Sequence, residues 1–122
     1  MGDLSEDFNY KEFTCNCGCD RVVVAPELIK QIQRLRTMHR KPIRINSGYR
    51  CPEYNARVGG VDGSAHTTGH AADIACETSE ERHALLNLVF FYSLFTRVGI
   101  DKRFVHLDVD PSKPQHVVWI YT

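Results

Sequence analysis

Two histidines and one aspartate stand out because their types and spacing suit a metal ion. His66 and Asp73 both lie in the segment Ser64-Ala65-His66-Thr67-Thr68-Gly69-His70-Ala71-Ala72-Asp73, and His106 follows Asp73 by 33 residues. Two imidazoles and one carboxylate form a three-ligand set for zinc, with a fourth position left for water. The sequence therefore predicts a Zn²⁺ site at His66, Asp73 and His106.

The elements around these residues are suited to holding them. His66 ends a glycine-rich stretch that is predicted to be a loop. Asp73 and His106 fall in strand candidates at 71–76 and 104–109. Ligands on neighbouring strands hold a site more rigidly than ligands on loops.

A second histidine pair, His66 and His70, has the spacing of two ligands on one helical face. Thr67, Thr68 and Gly69 are poor helix formers, and Thr67 stands where such motifs carry a glutamate. We therefore predict that His70 is a substrate-side or surface residue and not a ligand. The remaining histidines lack partners in the sequence and are interpreted as ordinary surface or half-buried residues: His39, His83 and His116.

Composition limits the classes of protein to which this chain can belong. It has 122 residues, 43% of them hydrophobic, with 15 Lys+Arg against 15 Asp+Glu, which predicts one folded domain over 1–122. The zero net charge argues against a general nucleic-acid or anionic-membrane binder. The apolar stretch 84–95 is too short to span a bilayer, so we expect no stable membrane insertion. The first ten residues do not resemble a secretory signal peptide, so we expect synthesis in the cytoplasm.

The five cysteines allow several interpretations. Cys15, Cys17 and Cys19 alternate with other residues, and Cys51 and Cys76 stand apart. A structural zinc site is one interpretation, although the one-residue spacing is shorter than in knuckle-type sites. A disulfide from the cluster to Cys51 is another, in an oxidising compartment. We favour free thiols, and the odd number leaves at least one thiol free or paired between chains.

Hydrophobic spacing and turn residues predict an α+β fold with a small antiparallel sheet. Pro26 begins one helix, which Pro42 ends, and a capping box formed by Thr78 and Glu81 begins another. The predicted helices cover 26–39, 52–57 and 78–94, and the predicted strands cover 43–46, 71–76, 97–100, 104–109 and 117–121.

Three motifs resemble one known family. The pattern Ser-x-His-x-x-Gly-x-Ala-x-Asp, starting at Ser64, is followed by a histidine on a late strand. Before it lies the block Ile45-Asn46-Ser47-Gly48-Tyr49-Arg50-Cys51-Pro52-Glu53-Tyr54-Asn55, and the chain opens with Phe13-Thr14-Cys15-Asn16-Cys17-Gly18-Cys19. Together with the glycine-rich connection 58–64, they resemble the zinc D-Ala-D-Ala carboxypeptidase and L-alanyl-D-glutamate endopeptidase family. That family includes bacteriophage endolysins and shares its fold with the hedgehog signalling domain.

The resemblance implies a small antiparallel sheet flanked by helices, zinc at the three predicted ligands and cleavage of peptidoglycan stem peptides. It implies that Arg50 contacts the substrate carboxylate or the developing oxyanion, a role suited to a planar fork of donors. It also implies that Ser64 lies beside the metal and hydrogen-bonds substrate. The alternatives are a structural salt bridge for Arg50 and a simple loop cap for Ser64.

The general base is where the sequence departs from the family. Many relatives carry a glutamate or aspartate three residues before the last zinc histidine, and Arg103 stands there in this chain. We rank Asp108 first as the base, because strand alternation places it on the same face as His106, and Asp101 second. The alternatives are that Asp108 orients a metal ligand and that Asp101 only shapes a turn.

We therefore expect a monomeric zinc metallopeptidase that cleaves peptidoglycan, in a phage or prophage endolysin. It would reach the cell wall or periplasm after release, or act there as a virion component. The alternative is a non-catalytic zinc-containing module that binds wall peptides or a protein partner. The sequence leaves open whether the enzyme is a carboxypeptidase or an endopeptidase.

Overall fold

The computed structural model describes residues 2–122. They form helices α1 (Pro26–His39), α2 (Pro52–Arg57) and α3 (Ser79–Phe91), with short 3-10 helices at Tyr10–Phe13 and Ala65–Thr68. The strands are β1 (Ile45–Ser47), β2 (Ala71–Ala75), β3 (Arg97–Ile100), β4 (Phe104–Asp108) and β5 (Val117–Ile120). This confirms the predicted α+β class. Within this part of the chain, no helix has the length and apolar character needed to cross a membrane.

Local signals determine where the long helices begin and end. Pro26 occupies the first turn of α1, and the helix ends at Arg40, whose backbone is left-handed at φ 63°. Half of the predicted capping box of α3 is present, since the Thr78 hydroxyl accepts a hydrogen bond from the Glu81 backbone N–H at 3.1 Å. The Glu81 carboxylate accepts from the Glu77 N–H instead of the Thr78 N–H. Helix α3 ends earlier than predicted, and left-handed Ser93 at φ 51° lies just beyond its end.

The five strands form one sheet in the order β1-β2-β4-β3-β5. Three neighbouring pairs are antiparallel, but β5 runs parallel to β3, so the predicted all-antiparallel sheet needs correction. The reason is topological. Strand β4 already has β2 and β3 on its two sides, and the chain leaves it beside the start of β3. When β5 joins the free edge of β3 from that same end, it must run parallel to β3.

Strand alternation separates the core from the opposite face of the sheet. On β2 and β4, Ala72, Ile74, Val105 and Leu107 belong to a hydrophobic core that also contains buried residues of both long helices. The residues that alternate with them include Asp73, His106 and Asp108. Because side chains on a strand point alternately to opposite faces, packing of the core also directs these polar groups to one surface.

We expect Gly69 to be indispensable for stability. It ends the second 3-10 helix at φ 77°, and a methyl group there would overlap the Val23 carbonyl oxygen. The left-handed backbone alone costs a non-glycine residue about 1–2 kcal/mol, and the overlap adds to that cost. Gly69→Ala should therefore lower the free energy of unfolding in urea by about 2–4 kcal/mol.

The matched control is Gly63→Ala, because Gly63 has a similar φ of 75° and open space around the added methyl. It should lose only the backbone cost, about 1–2 kcal/mol. Equal losses in the two variants would show that the contact with Val23 has no energetic effect.

Candidate metal centre

Asp73 and His106 face each other across two central strands. They are direct partners in the antiparallel register of β2 and β4, and His106 Nδ1 lies 3.0 Å from Asp73 Oδ1. His66 approaches the same oxygen from the second 3-10 helix, with its Nε2 at 3.3 Å. The structure thus brings the three predicted ligands together, each of them at most 6% exposed.

The tautomer of His66 follows from its outer hydrogen bond. Nδ1 lies 2.7 Å from the backbone carbonyl oxygen of Gly48, which only accepts, so Nδ1 carries the proton. Nε2 is then left with a lone pair that points towards Asp73. This nitrogen is buried and has no hydrogen-bond partner among residues 2–122. A buried polar atom left in that state costs about 1–3 kcal/mol, which binding of a metal ion would offset.

The ring of His106 is held in the same way by a second acceptor. Its Nε2 donates to Asp108 Oδ2 at 2.8 Å, and Arg97 Nε donates to Asp108 Oδ1 at 2.7 Å. Burial acts to lower the pKa of His106, but the hydrogen bonds to Asp108 and Asp73 outweigh it and raise the pKa.

The three donor atoms fit a zinc ion. All of them lie within 4.8 Å of one another, and the two measured nitrogen–oxygen distances are 3.0 and 3.3 Å. Ligands bound tetrahedrally to zinc at about 2.0–2.1 Å are about 3.3–3.4 Å apart. Two neutral imidazoles and one carboxylate are also a usual donor set for catalytic zinc, which keeps a fourth position open.

Asp73 is ionised and oriented by its neighbours. Burial acts to raise the pKa of its carboxyl group, but the hydrogen bond from His106 and the charge of that ring outweigh it and hold the pKa well below the usual range. Its second oxygen, Oδ2, lies 3.4 Å from Arg50 Nη2. The carboxylate therefore directs one oxygen to the histidines and the other to a fixed cation.

Arg50 and Ser64 lie where the sequence predicts, beside the ligands on the wall of a cavity of about 620 Å³. The guanidinium of Arg50 also donates to Ser47 and Asn55. Ser64 caps the second 3-10 helix, because its hydroxyl accepts from the His66 backbone N–H at 3.2 Å. Both residues thus make the structural contacts named as alternatives, and both also face the space where a substrate would lie.

Both predicted bases already accept hydrogen bonds from other groups of the protein. Asp108 is 1% exposed, and its oxygens are engaged by His106, Arg97 and the Asp110 backbone N–H. Its geometry is that of the alternative, a carboxylate that orients a metal ligand. Asp101 accepts from the Arg103 backbone N–H in the turn after β3 and is not one of the residues that line the cavity. Its role there is the one expected of a turn residue.

His70 is not one of the three converging donors. Its Nδ1 lies 2.8 Å from the Thr68 hydroxyl, and the described part of the chain does not place it on the cavity wall. Strand β2 starts directly after His70.

Sequence reasoning missed the aromatic wall of the cavity, which comes from Trp119 and Tyr121 on the β5 side. The Trp119 ring lies 5.2 Å from the His106 ring, and the Arg97 guanidinium lies 5.1 Å from the Trp119 ring centroid. The alternation of side chains along a strand over 117–121 indicated that Trp119 and Tyr121 share one face of it. However, only the parallel pairing with β3 brings that face beside the metal ligands.

We expect Asp108 to control metal affinity through His106. Asp108→Asn places an amide against Arg97 and weakens the acceptor for Nε2–H, so zinc affinity should fall about 10–100-fold. Competition with a chromophoric chelator would measure it. Asp110→Asn is the control, because Asp110 is also buried but bonds Lys113 and Ser112, and it should keep nearly full affinity. Unchanged zinc affinity in Asp108→Asn would contradict the positioning role.

The comparisons with known proteins agree with this site. A family model described as Peptidase M15 matches residues 6–108. The zinc D-Ala-D-Ala carboxypeptidase of Streptomyces albus G is 44% identical over 45 residues, which are 36% of this chain and 18% of that protein. The matched segment thus spans less than a fifth of this relative. Because the family model covers most of the chain, and as the motifs predict, the protein belongs to the peptidase M15 family.

Proposed function

We propose that this protein is a zinc-dependent peptidase that hydrolyses peptide bonds in peptidoglycan stem peptides. The observation that carries the proposal is the convergence of two imidazole lone pairs and an ionised carboxylate on the wall of an open cavity. A site built only to stabilise the fold would be closed by a fourth protein ligand. Membership of the M15 family and the name of the Streptomyces relative support the same substrate class.

The residues of the site would have distinct roles in such a reaction. His66, Asp73 and His106 would hold Zn²⁺, which when bound supplies a Lewis acid and lowers the pKa of a bound water. Asp108 and Arg97 keep the His106 ring in the orientation that presents Nδ1. Trp119 and Tyr121 form a wall that limits water access and gives the substrate an apolar surface.

Arg50 is the residue best suited to bind the substrate. A guanidinium has five N–H donors, and the contacts with Ser47, Asn55 and Asp73 use three of them. The two that remain lie beside the cavity and suit a carboxylate or a developing oxyanion. The bond to Asp73 fixes the fork at a constant position relative to the metal ligands.

We further propose that the protein acts at the bacterial cell wall, as a lysis enzyme of endolysin type. Support comes from the motifs shared with that branch of the family. In this setting the substrate is the stem peptide of the wall, and no nucleic acid or stable membrane contact takes part.

Activity should depend on the metal ligands. With zinc, the purified protein should release new amino groups or D-Ala from peptidoglycan, and His66→Ala should lower the rate at least about 1000-fold through loss of the metal site. Mass spectrometry of the digested muropeptides identifies the bond that is cut. The control is His83→Ala, because His83 is an exposed histidine on α3, and it should keep full activity.

A chelator should abolish this activity and added zinc should restore it. Zinc bound at His66, Asp73 and His106, without cleavage of any wall type, would overturn the enzyme and favour the non-catalytic module.

The role of Arg50 can be separated from that of the metal site with two substrates. Arg50→Lys removes the planar fork, so kcat/KM on a stem peptide with a free terminal carboxylate should fall about 10–100-fold, which corresponds to about 1.5–3 kcal/mol. The matched control is Arg44→Lys, because the Arg44 side chain is exposed (73% accessible). This variant should change kcat/KM little.

The same peptide with an amidated C-terminus completes the test. If Arg50 binds the terminal carboxylate, the loss in Arg50→Lys should shrink on the amidated peptide. An equal loss on both peptides would show that Arg50 acts only through Asp73 and would remove it from substrate binding.

A further inference from the structure

Four cysteines outside the peptidase site gather at one point. The Sγ atoms of Cys15 and Cys17 are 3.4 Å apart, and each lies 3.7 Å from Sγ of Cys51. Cys19 completes the group, with all four sulfurs within 4.8 Å of one another. Three sulfurs at nearly equal distances surround a common centre, whereas a disulfide would bring two together and leave the third aside.

These distances are those of sulfurs around one metal ion. Four thiolates bound tetrahedrally to zinc at about 2.3 Å are about 3.8 Å from one another. No disulfide joins these cysteines, and Cys15 and Cys51 are buried. Thiols that served only as small apolar residues would have no reason to converge in fours, since each could pack separately in the core.

The backbone is folded to aim the sulfurs inward. Gly18, at φ 90°, turns the chain between Cys17 and Cys19. A hydrogen bond of 3.0 Å from the Cys15 N–H to the Arg21 carbonyl oxygen closes the loop around them. This turn explains how a one-residue spacing, shorter than in knuckle-type sites, still brings alternate thiols to the same point.

The surroundings also suit negatively charged sulfur. The Cys51 N–H donates to Cys15 Sγ at 3.3 Å, and the Tyr54 N–H donates to Cys51 Sγ at 3.4 Å. Four thiolates around a divalent cation carry a net charge of minus two, which N–H donors at the sulfurs offset in part. Such donors stabilise thiolates over thiols.

We propose that Cys15, Cys17, Cys19 and Cys51 bind a structural zinc ion as four thiolates. Binding releases the four thiol protons to solvent and involves no oxidation or reduction. A closed set of four protein ligands leaves no position for water, so this ion takes no part in hydrolysis. Its role is to fix the N-terminal loop to the segment between β1 and α2. The nearest ligands of these two parts of the chain, Cys19 and Cys51, are 32 residues apart.

Metal content tests the proposal without reference to activity. The full chain, purified in reducing buffer, should carry two zinc ions by native mass spectrometry and elemental analysis. The double variant His66→Ala/His106→Ala should keep one. After replacement by Co²⁺, this variant should show the intense thiolate-to-cobalt charge-transfer absorption of a tetrahedral sulfur site.

Cys15→Ser/Cys51→Ser should lose that ion and the absorption, whereas Cys76→Ser should keep both, because Cys76 is buried away from the cluster. If the double cysteine variant fails to fold, the double histidine variant still decides the question. A histidine variant without metal, whose four thiols react freely with a thiol reagent in the folded state, would overturn the proposal. A protein mass lower by two hydrogens would show a disulfide in place of the metal site and would overturn the proposal. Bound iron would overturn the choice of zinc.

Discussion

The metal centre depends on two hydrogen bonds made by the outer nitrogens of its histidines. His66 donates to the Gly48 carbonyl oxygen and His106 donates to Asp108, so the inner nitrogens of both rings are left to present lone pairs to a cation beside Asp73. Without a cation, two lone pairs and a carboxylate oxygen at 3.0–3.3 Å repel one another. A proton on His106 relieves this only in part, because the buried Nε2 of His66 stays without a donor. The arrangement is therefore one that a divalent cation completes.

The same strands supply the hydrophobic core and the site, so the two cannot vary independently. Ile74 and Val105 pack into the core, while their neighbours Asp73 and His106 face the cavity. A slip of one residue in either strand would exchange the two faces. It would bury a carboxylate or an imidazole in the core and would expose apolar side chains. The burial of a few aliphatic side chains thus enforces the register that pairs the two ligands.

Much of this could be predicted from sequence because its signals are local. The proline at α1, the Thr78 cap at α3 and the alternation in the strands act within a few residues, and the ligand set follows from residue types that zinc prefers. The rest is non-local. The direction of β5 depends on which sheet edge is still free, and the role of Asp108 depends on Arg97, 11 residues earlier. Spacing alone placed Asp108 on the right face but could not show that both its oxygens are already engaged.

The segment 47–51 connects the metal centre at His66, Asp73 and His106 to the cysteine cluster. Its Gly48 carbonyl fixes the tautomer of His66, its Arg50 side chain orients Asp73, and its Cys51 belongs to the thiol cluster. From Gly48 to Cys51 it has no regular secondary structure of its own, so its position depends on what its side chains and backbone contact. Ordering such a segment costs conformational entropy of about 1–2 kcal/mol per residue. An ion held at Cys51 would already order part of this segment before the peptidase site binds its own metal. By linkage, metal binding at each site would then raise the metal affinity of the other.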